Sequence, residues 1–278
     1  MSAGRPDLPE FDNPPIVEVA LAVQFDRLES LRSTQLGLLW LNFKDRFPKT
    51  EEHPPLAPIV EEFGDHKVAR PQVQFEVLNR PPTPRLWYLN ETGTELIQVQ
   101  QDRFAHNWRK VGGEDEYPRY ERIRDSFLEE LRQFDSFLEE HQVGTLRPNI
   151  GEITYVNHVD LGKGLQTFAE LDQVLTLWSG EYSDPFPAEL EEARFTAQYL
   201  IPNDVGEPNG RLRIDATPAY RSDDNKPVLV LRLQARGKLC NQTLDGAMQF
   251  LDIGRSWIVR GFASITTVEM HKVWKRRK

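Results

Sequence analysis

The chain has 278 residues, of which 39% are hydrophobic, 28% charged and 10% aromatic, which is the composition of a globular protein and excludes a disordered one. The net charge of −9 disfavours a protein that coats nucleic-acid phosphates, and the apolar stretches are shorter than the roughly 20 residues of a membrane span. The N-terminal MSAGRPDLPEFDNPP lacks an apolar signal-peptide core, and the one cysteine, Cys240, excludes an internal disulfide. We therefore expect a cytoplasmic protein with no membrane association.

A strand and a helix come first along the chain. PPIVEVALAV (14–23) alternates apolar residues with others, as a half-buried strand does. Leu36 and Trp40 recur at helical spacing, and Pro48 ends that run. A proline-rich crossing, EEHPPLAPIVEEF (51–63), follows, and we expect no regular element in it.

Four strand candidates and a long helix complete the first half. The strand candidates are QVQFEVL (72–78), RLWYL (85–89), ELIQVQ (95–100) and RFAHNWR (103–109). The helix begins near YPRY, carries an apolar stripe of which Ile123 and Phe127 are the first members, and ends before Gly144. In the last strand, the alternating residues Phe104, His106 and Trp108 lie on one face. A face that carries a tryptophan more commonly points into the core.

The second half repeats this order of elements. Pro14, Ile16, Glu18 and Val19 align without gaps with Pro148, Ile150, Glu152 and Ile153. After the second strand, NIGEITYVNHVD, come a helix candidate (165–178), three strand candidates (193–201, 211–217 and 227–235) and a closing helix that begins near Thr243. The sequence thus predicts an α+β fold of two similar halves, 1–144 and 145–278. Their strands would form one curved, saddle-like antiparallel sheet with the helices on one face.

The strand face that points away from the helices is rich in arginine and in amides. Strand alternation places five arginines there in the second half: Arg194, Arg211, Arg213, Arg232 and Arg236. In the first half the same face carries Gln72, Gln74, Glu76, Gln98 and Gln100. Arginine suits the capture of a carboxylate or phosphate, whereas an ordinary solvated sheet face is the alternative.

We take this face as the candidate ligand-binding surface. Its candidate residues are Arg194, Arg213, Arg232, Gln234, Arg236, His158, Glu18 and Glu152. Glu18 and Glu152 occupy equivalent places in the two halves, so a symmetric sheet would bring them towards one axis. They would then form either a general acid–base pair or an ion-pair network that fixes the junction, of which the network is the commoner arrangement.

Sequence signatures of catalysis are missing. The chain has no Gly-x-Ser-x-Gly, Walker or His-Glu-x-x-His motif, and its six histidines show no metal-ligand spacing. We therefore predict no catalytic residue, no metal and no cofactor. We expect Cys240 to be a small buried residue, and the basic tail KVWKRRK (272–278) to be a frayed, solvated terminus.

Several phrases in this order resemble a family of uncharacterised, sporadically distributed prokaryotic proteins of about this length. They are NPPIVEVALAVQF, LIQVQQDRFAHNWRK, YPRY, EITYVNHV and GRSWIVRGFASIT. A sporadic distribution implies an accessory or defence function. From the arginine- and amide-rich strand face, we expect a non-enzymatic module that recognises a protein partner. One alternative is nucleic-acid or nucleotide binding through the arginines. Another is an enzyme that uses the glutamates. The sequence leaves the oligomeric state open.

Overall fold

A computed structural model describes residues 8–64, 82–113, 115–180, 183–184, 186 and 190–278. Within these residues the chain forms four α-helices and one antiparallel sheet of nine strands, which confirms the α+β class. The strands are β1 (Ile16–Phe25), β2 (Lys49–His53), β3 (Arg85–Leu89), β4 (Glu95–Gln100), β5 (Arg103–Arg109), β6 (Pro148–Asp160), β7 (Phe195–Pro202), β8 (Pro208–Tyr220) and β9 (Pro227–Lys238). The helices are α1 (Ser33–Phe43), α2 (Tyr120–Glu140), α3 (Leu244–Ile265) and α4 (Val268–Val273).

The strand order brings the two halves together along their first strands. Across the sheet the order is β2-β3-β4-β5-β1-β6-β9-β8-β7, so the strands before residue 144 lie on one side and the later strands on the other. β1 and β6 pair antiparallel, with Leu21 opposite Ile153. The two strands that share the Pro-x-Ile-x-Glu phrase are therefore direct neighbours.

The helices pack on the face that carries the apolar residues of the strands. Leu21 of β1 is fully buried. In β5, the ring of Phe104 stacks on Phe134 of α2 with their centroids 5.2 Å apart. In β3, the Tyr88 hydroxyl donates a hydrogen bond of 2.6 Å to the carbonyl of Leu36 in α1. Burial of these side chains is the main stabilising term of the fold.

A buried charged group joins α2 to β5. His106 Nδ1 lies 2.8 Å from the carboxylate of Glu130, and both side chains are at most 2% exposed. Arg46 Nη1 lies 2.8 Å from the other oxygen of that carboxylate, so the buried negative charge has a cationic partner. Phe104 and Trp108 are buried on the same side. The predicted core location of all three alternating residues of this strand is confirmed.

The predicted helix at 165–178 is wrong, since the structure has only a short 3-10 turn there, Leu171–Gln173. The backbone of this segment makes local turns, and Thr176 N–H donates a 2.8 Å hydrogen bond to the carbonyl of Ile265 at the end of α3. Docking of this loop buries Leu165, Leu171, Val174 and Leu175, whereas Leu177 stays exposed.

One edge of the sheet also differs from the sequence-based expectation. β2 includes residues 51–53, which we had assigned to the irregular proline-rich crossing. Its sequence, KTEEH, shows no apolar alternation because the strand is almost wholly exposed at the edge of the sheet. The strand expected at 72–78, with Gln72 and Gln74, lies outside the described residues.

The C-terminal tail is not a frayed terminus, as we had expected. Residues Val268–Val273 form α4, and the tail beyond it pairs with the N-terminal segment through a bridge between Phe11 and Arg276. Arg277 N–H donates to the carbonyl of Glu10 at 2.8 Å. The aromatic ring of Phe11 is buried, so this pairing closes one end of the core. None of the helices in the described ranges is long and apolar enough to cross a membrane.

Candidate functional site on the polar face of the sheet

The sheet face that turns away from the helices, which we call the polar face, is crossed by a segment of the same chain. Residues 54–63, PPLAPIVEEF, follow β2 and run over the polar face from β4 to β8. We call this segment the strap. The polar face is therefore partly occupied by the protein's own residues, which the sequence did not indicate.

Two glutamines of the polar face hold the backbone of the strap. The Leu56 N–H donates to Gln100 Oε1 and Gln100 Nε2 donates to the Leu56 carbonyl, both at 3.0 Å. Gln24 of β1 makes the same pair of hydrogen bonds with the N–H and carbonyl of Ile59. A carboxamide offers one acceptor and one donor side by side, so each glutamine satisfies both polar groups of one strap residue. These two amides of the polar face thus bind peptide backbone.

Arginines of the second half hold a carboxylate of the strap. The Glu61 side chain is fully buried, and it forms ion pairs with Arg211 and Arg213 of β8, the latter at 2.5 Å. Arg236 of β9 lies 4.0 Å from the same carboxylate. Arg211 also donates to the carbonyl of Glu62 at 2.6 Å. Charge-assisted bonds of this kind are stronger than neutral ones, so Glu61 is the best-anchored residue of the strap.

Glu18 belongs to a chain of hydrogen bonds across the first half of the polar face. Arg85 donates to Gln98 Oε1 at 2.8 Å, and Gln98 Nε2 donates to Asn107 Oδ1 at 2.8 Å. The Asn107 amide then donates to the Glu18 carboxylate at 2.6 Å. Four neighbouring strands, β3, β4, β5 and β1, are linked in this way. Gln98 therefore bonds Asn107, Asn107 bonds Glu18, and neither amide has a hydrogen bond to the described strap residues.

Glu152 is an ion-pair partner, and it does not meet Glu18. It lies opposite Arg236 on the neighbouring strand and accepts hydrogen bonds from that guanidinium. In the β1–β6 register Glu152 faces Ala22, while Glu18 faces Val156. Four residues along a strand separate the two glutamates, which puts their Cα atoms about 14 Å apart. Glu18 also bonds to Asn107 of β5 and Glu152 to Arg236 of β9, on opposite sides of the β1–β6 pair, so the two carboxylates do not form a general acid–base pair.

Two further candidate residues, Arg232 and Gln234, lie on β9, the strand of Arg236. Arg232 is exposed and, among the residues that the structure describes, has no ion-pair partner; it faces Asp215 on β8. Gln234 is half-buried and donates to Thr154 Oγ1 at 3.3 Å. Within the described part of the chain, Arg232 is therefore an unpaired cationic group on the polar face, on the same strand as Arg236.

The two other candidate residues lie further from the strap. His158 of β6 is half-buried, and burial together with the positive charge of Arg221 lowers its pKa below the ordinary value of 6.5. This histidine is therefore neutral at pH 7. Arg194 precedes β7 and forms an exposed ion pair of 3.2 Å with Glu192, so it does not join the arginine cluster.

The structure thus brings Arg213, Arg236 and Glu152 together around Glu61, a residue that sequence reasoning missed. Strand alternation indicated the arginines, but the proline-rich crossing gave no positional information. One signal was present: several arginines on adjacent strands require a counter-charge, and the paired glutamates at 61 and 62 are an acidic pair in an otherwise irregular segment.

The site offers binding groups and not a recognised catalytic set. No cluster of three or more His, Cys, Asp or Glu residues in the described ranges could hold a metal ion. Cys240 is exposed, so the expectation that it is buried is wrong. The face provides backbone-directed amides and guanidiniums directed at a carboxylate.

In comparisons with known proteins, no family model, curated protein or solved structure matches the chain.

Proposed function

We propose that this protein is a non-enzymatic binding module that recognises a protein partner through the polar face of its sheet. The single observation that carries the proposal is the strap, an extended segment held through two of its backbone amides and one carboxylate. These are the contacts by which binding modules recognise a peptide segment of a partner. The exposed guanidinium of Arg232, which has no ion-pair partner among the described residues, lies on the same surface.

We also infer that the fold is a duplication of one unit, divided near residue 144, with a saddle-like curvature. Its support is a repeated register: Glu18 lies opposite Arg109 across β1 and β5, as Glu152 lies opposite Arg236 across β6 and β9. Superposition of the pair β1–β5 on β6–β9 in an experimental structure tests this inference. Poor superposition of the central strands would contradict it.

The proposal includes a cytoplasmic location and no membrane partner, in keeping with a single exposed cysteine and no disulfide among the described residues. The nucleic-acid or nucleotide alternative has less support. Arg211, Arg213 and Arg236 are already paired with carboxylates, which leaves few guanidiniums for phosphate. It is retained as an outcome of the experiment.

Capture from the native host tests the proposal. The tagged full chain is compared with Arg232→Ala and with Arg132→Ala, which removes an exposed arginine of α2 on the opposite side of the sheet. We expect a protein that the wild type and the Arg132 variant retain equally, and that the Arg232 variant binds about tenfold more weakly, a loss of about 1.4 kcal/mol. Equal binding by all three would contradict the proposal. Loss of capture after nuclease treatment would favour nucleic acid.

A further inference from the structure

Three backbone contacts of the strap with the polar face are spaced three residues apart, and a fourth, from Arg103 to the Ala57 carbonyl at 3.2 Å, falls between the first two. Gln100 binds the backbone of Leu56, Gln24 binds that of Ile59, and an arginine binds the carbonyl of Glu62. A polyproline II helix has three residues per turn and leaves its backbone polar groups free for such bonds. The strap is rich in proline and contains no regular helix or strand, which suits this conformation.

The spacing of the strands matches this period. Gln100 lies on β4 and Gln24 on β1, with β5 between them, so two strand spacings separate the glutamines, about 9.6 Å. Three residues of a polyproline II helix advance by about 9.3 Å. A segment in that conformation therefore places one backbone amide above each glutamine without distortion of the sheet.

The strap is held mainly by its backbone and its acid group; Ile59 is half-buried, and the apolar side chains before Phe63 are otherwise exposed. Leu56 is 40% exposed and Val60 is 73% exposed, whereas the Glu61 side chain has no exposed surface. A segment that only covers a sheet normally buries its apolar side chains and leaves its charges in water. At the end of the strap, the Phe63 ring lies under the guanidinium of Arg211 at 4.6 Å. The polar face therefore selects features that another chain can supply.

We infer that the partner binds through an acidic, proline-rich extended segment that takes the place of the strap. The inference rests on the proposed function, and it specifies the ligand: a backbone residue over each of two glutamines, three positions apart, then a carboxylate in the arginine cluster and an aromatic ring. The strap occupies this site in the free protein. As part of the same chain it has an effective concentration in the millimolar range, so a partner segment must compete with it.

A fluorescein-labelled peptide of residues 54–63 is the probe, added to full-length protein. In Glu61→Gln the strap loses its charged anchor, so we expect the peptide to bind this variant at least ten times more tightly than the wild type. Gln100→Ala, added to the Glu61→Gln variant, removes two hydrogen bonds to the peptide backbone. It should weaken peptide binding about tenfold relative to Glu61→Gln alone. A matched peptide with glutamine at the position of Glu61 should bind the Glu61→Gln variant about tenfold more weakly than the peptide of native sequence does. Fluorescence anisotropy measures all four affinities.

Hydrogen exchange over residues 54–63 reports whether the strap has left the polar face. Leu56→Pro, added to Glu61→Gln, removes the N–H that donates to Gln100. This double variant is a second way to release the strap. A strap that stays protected in both variants overturns the inference, because no partner could replace it. A released strap with no peptide binding overturns it as well.

Two further results separate the inference from the proposed function. Displacement of the peptide by a single-stranded oligonucleotide at equal concentration would overturn the inference in favour of nucleic acid. If the peptide fails to bind while capture of a host protein still depends on Arg232, the inference falls and the proposed function stands. Failure of both would leave the strap as a structural cover of the sheet.

Discussion

Arg211 of β8 and Arg236 of β9 lie directly opposite each other on neighbouring strands, with the Glu61 carboxylate placed against both. Like charges in opposite positions of a sheet destabilise it unless a counter-charge compensates them. Glu152 neutralises Arg236 from β6, and Glu61 completes the cluster from the strap. The second half of the polar face is therefore built to hold one additional carboxylate.

Replacement of Glu61 tests the strength of this anchor. Glu61→Ala leaves the arginines of β8 without their anion, and we expect it to lower the free energy of unfolding by about 1–3 kcal/mol, the range for lost hydrogen bonds to charged groups. The matched control is Glu62→Ala, whose side chain is exposed and whose carbonyl alone contacts the face; its effect should stay within about 0.5 kcal/mol. Urea denaturation measures both. Equal stability of the two variants would show that the ion pairs contribute little.

The two aligned glutamates are expected to differ in their contribution to folding. Glu152→Gln removes the charge that faces Arg236, and should lower the free energy of unfolding by about 1–3 kcal/mol. Glu18→Gln keeps an oxygen that can accept from Asn107, and should change it by less than about 0.5 kcal/mol. Thermal denaturation monitored by circular dichroism compares them. A larger loss in Glu18→Gln would contradict the assigned partners.

Much of the sheet could be predicted because alternation along a strand depends only on which side chains are buried. That rule correctly located Phe104, His106 and Trp108 in the core, and it aligned the arginines of β8 and β9 on the opposite face. It also indicated the first strands of both halves. Periodicity carries this information because the core imposes it residue by residue.

The strap and the loop at 165–178 could not be predicted, for a different physical reason. Their positions depend on single long-range bonds, such as the one from Thr176 to Ile265 and those of the strap with Gln24. Such bonds leave no period in the sequence. The loop at 165–178 was therefore expected to be a helix, although its backbone forms short turns and a bond to the end of α3.

The buried ion pair under β5 supports a prediction about the first half. Glu130→Ala leaves His106 and Arg46 without their common carboxylate, and should lower the free energy of unfolding by about 3–5 kcal/mol, as expected when one partner of a buried pair is removed. The neighbouring Glu129 is exposed on the same helix, so Glu129→Ala should cost less than about 0.5 kcal/mol. Guanidinium denaturation of both variants checks this. Similar losses of unfolding free energy in the two variants would show that the buried ion pair stabilises the fold no more than an exposed glutamate does.

The titration of His158 gives a prediction about pH. Burial and the charge of Arg221 lower its pKa below 6.5, and the nearby Asp160 and Asp223 offset only part of this. Since the folded pKa is lowered, neutral His158 stabilises the fold above about pH 6.5, and this contribution is lost as the pH falls through the folded pKa. Proton NMR of the imidazole should give a midpoint below 6.5, and Arg221→Ala should raise it. A midpoint above 6.5 would contradict the assigned environment.

Photo-crosslinking in the native host tests the central claim, that a protein partner binds the polar face, most directly. A benzophenone amino acid replaces Val230, which lies on the polar face opposite His158 and two positions from Arg232. In the control it replaces Glu129, on the outer side of α2. The account predicts a discrete protein adduct from position 230 that is absent from position 129 and resists nuclease. Adducts from position 129 alone, or a nucleic-acid adduct from position 230, would contradict it.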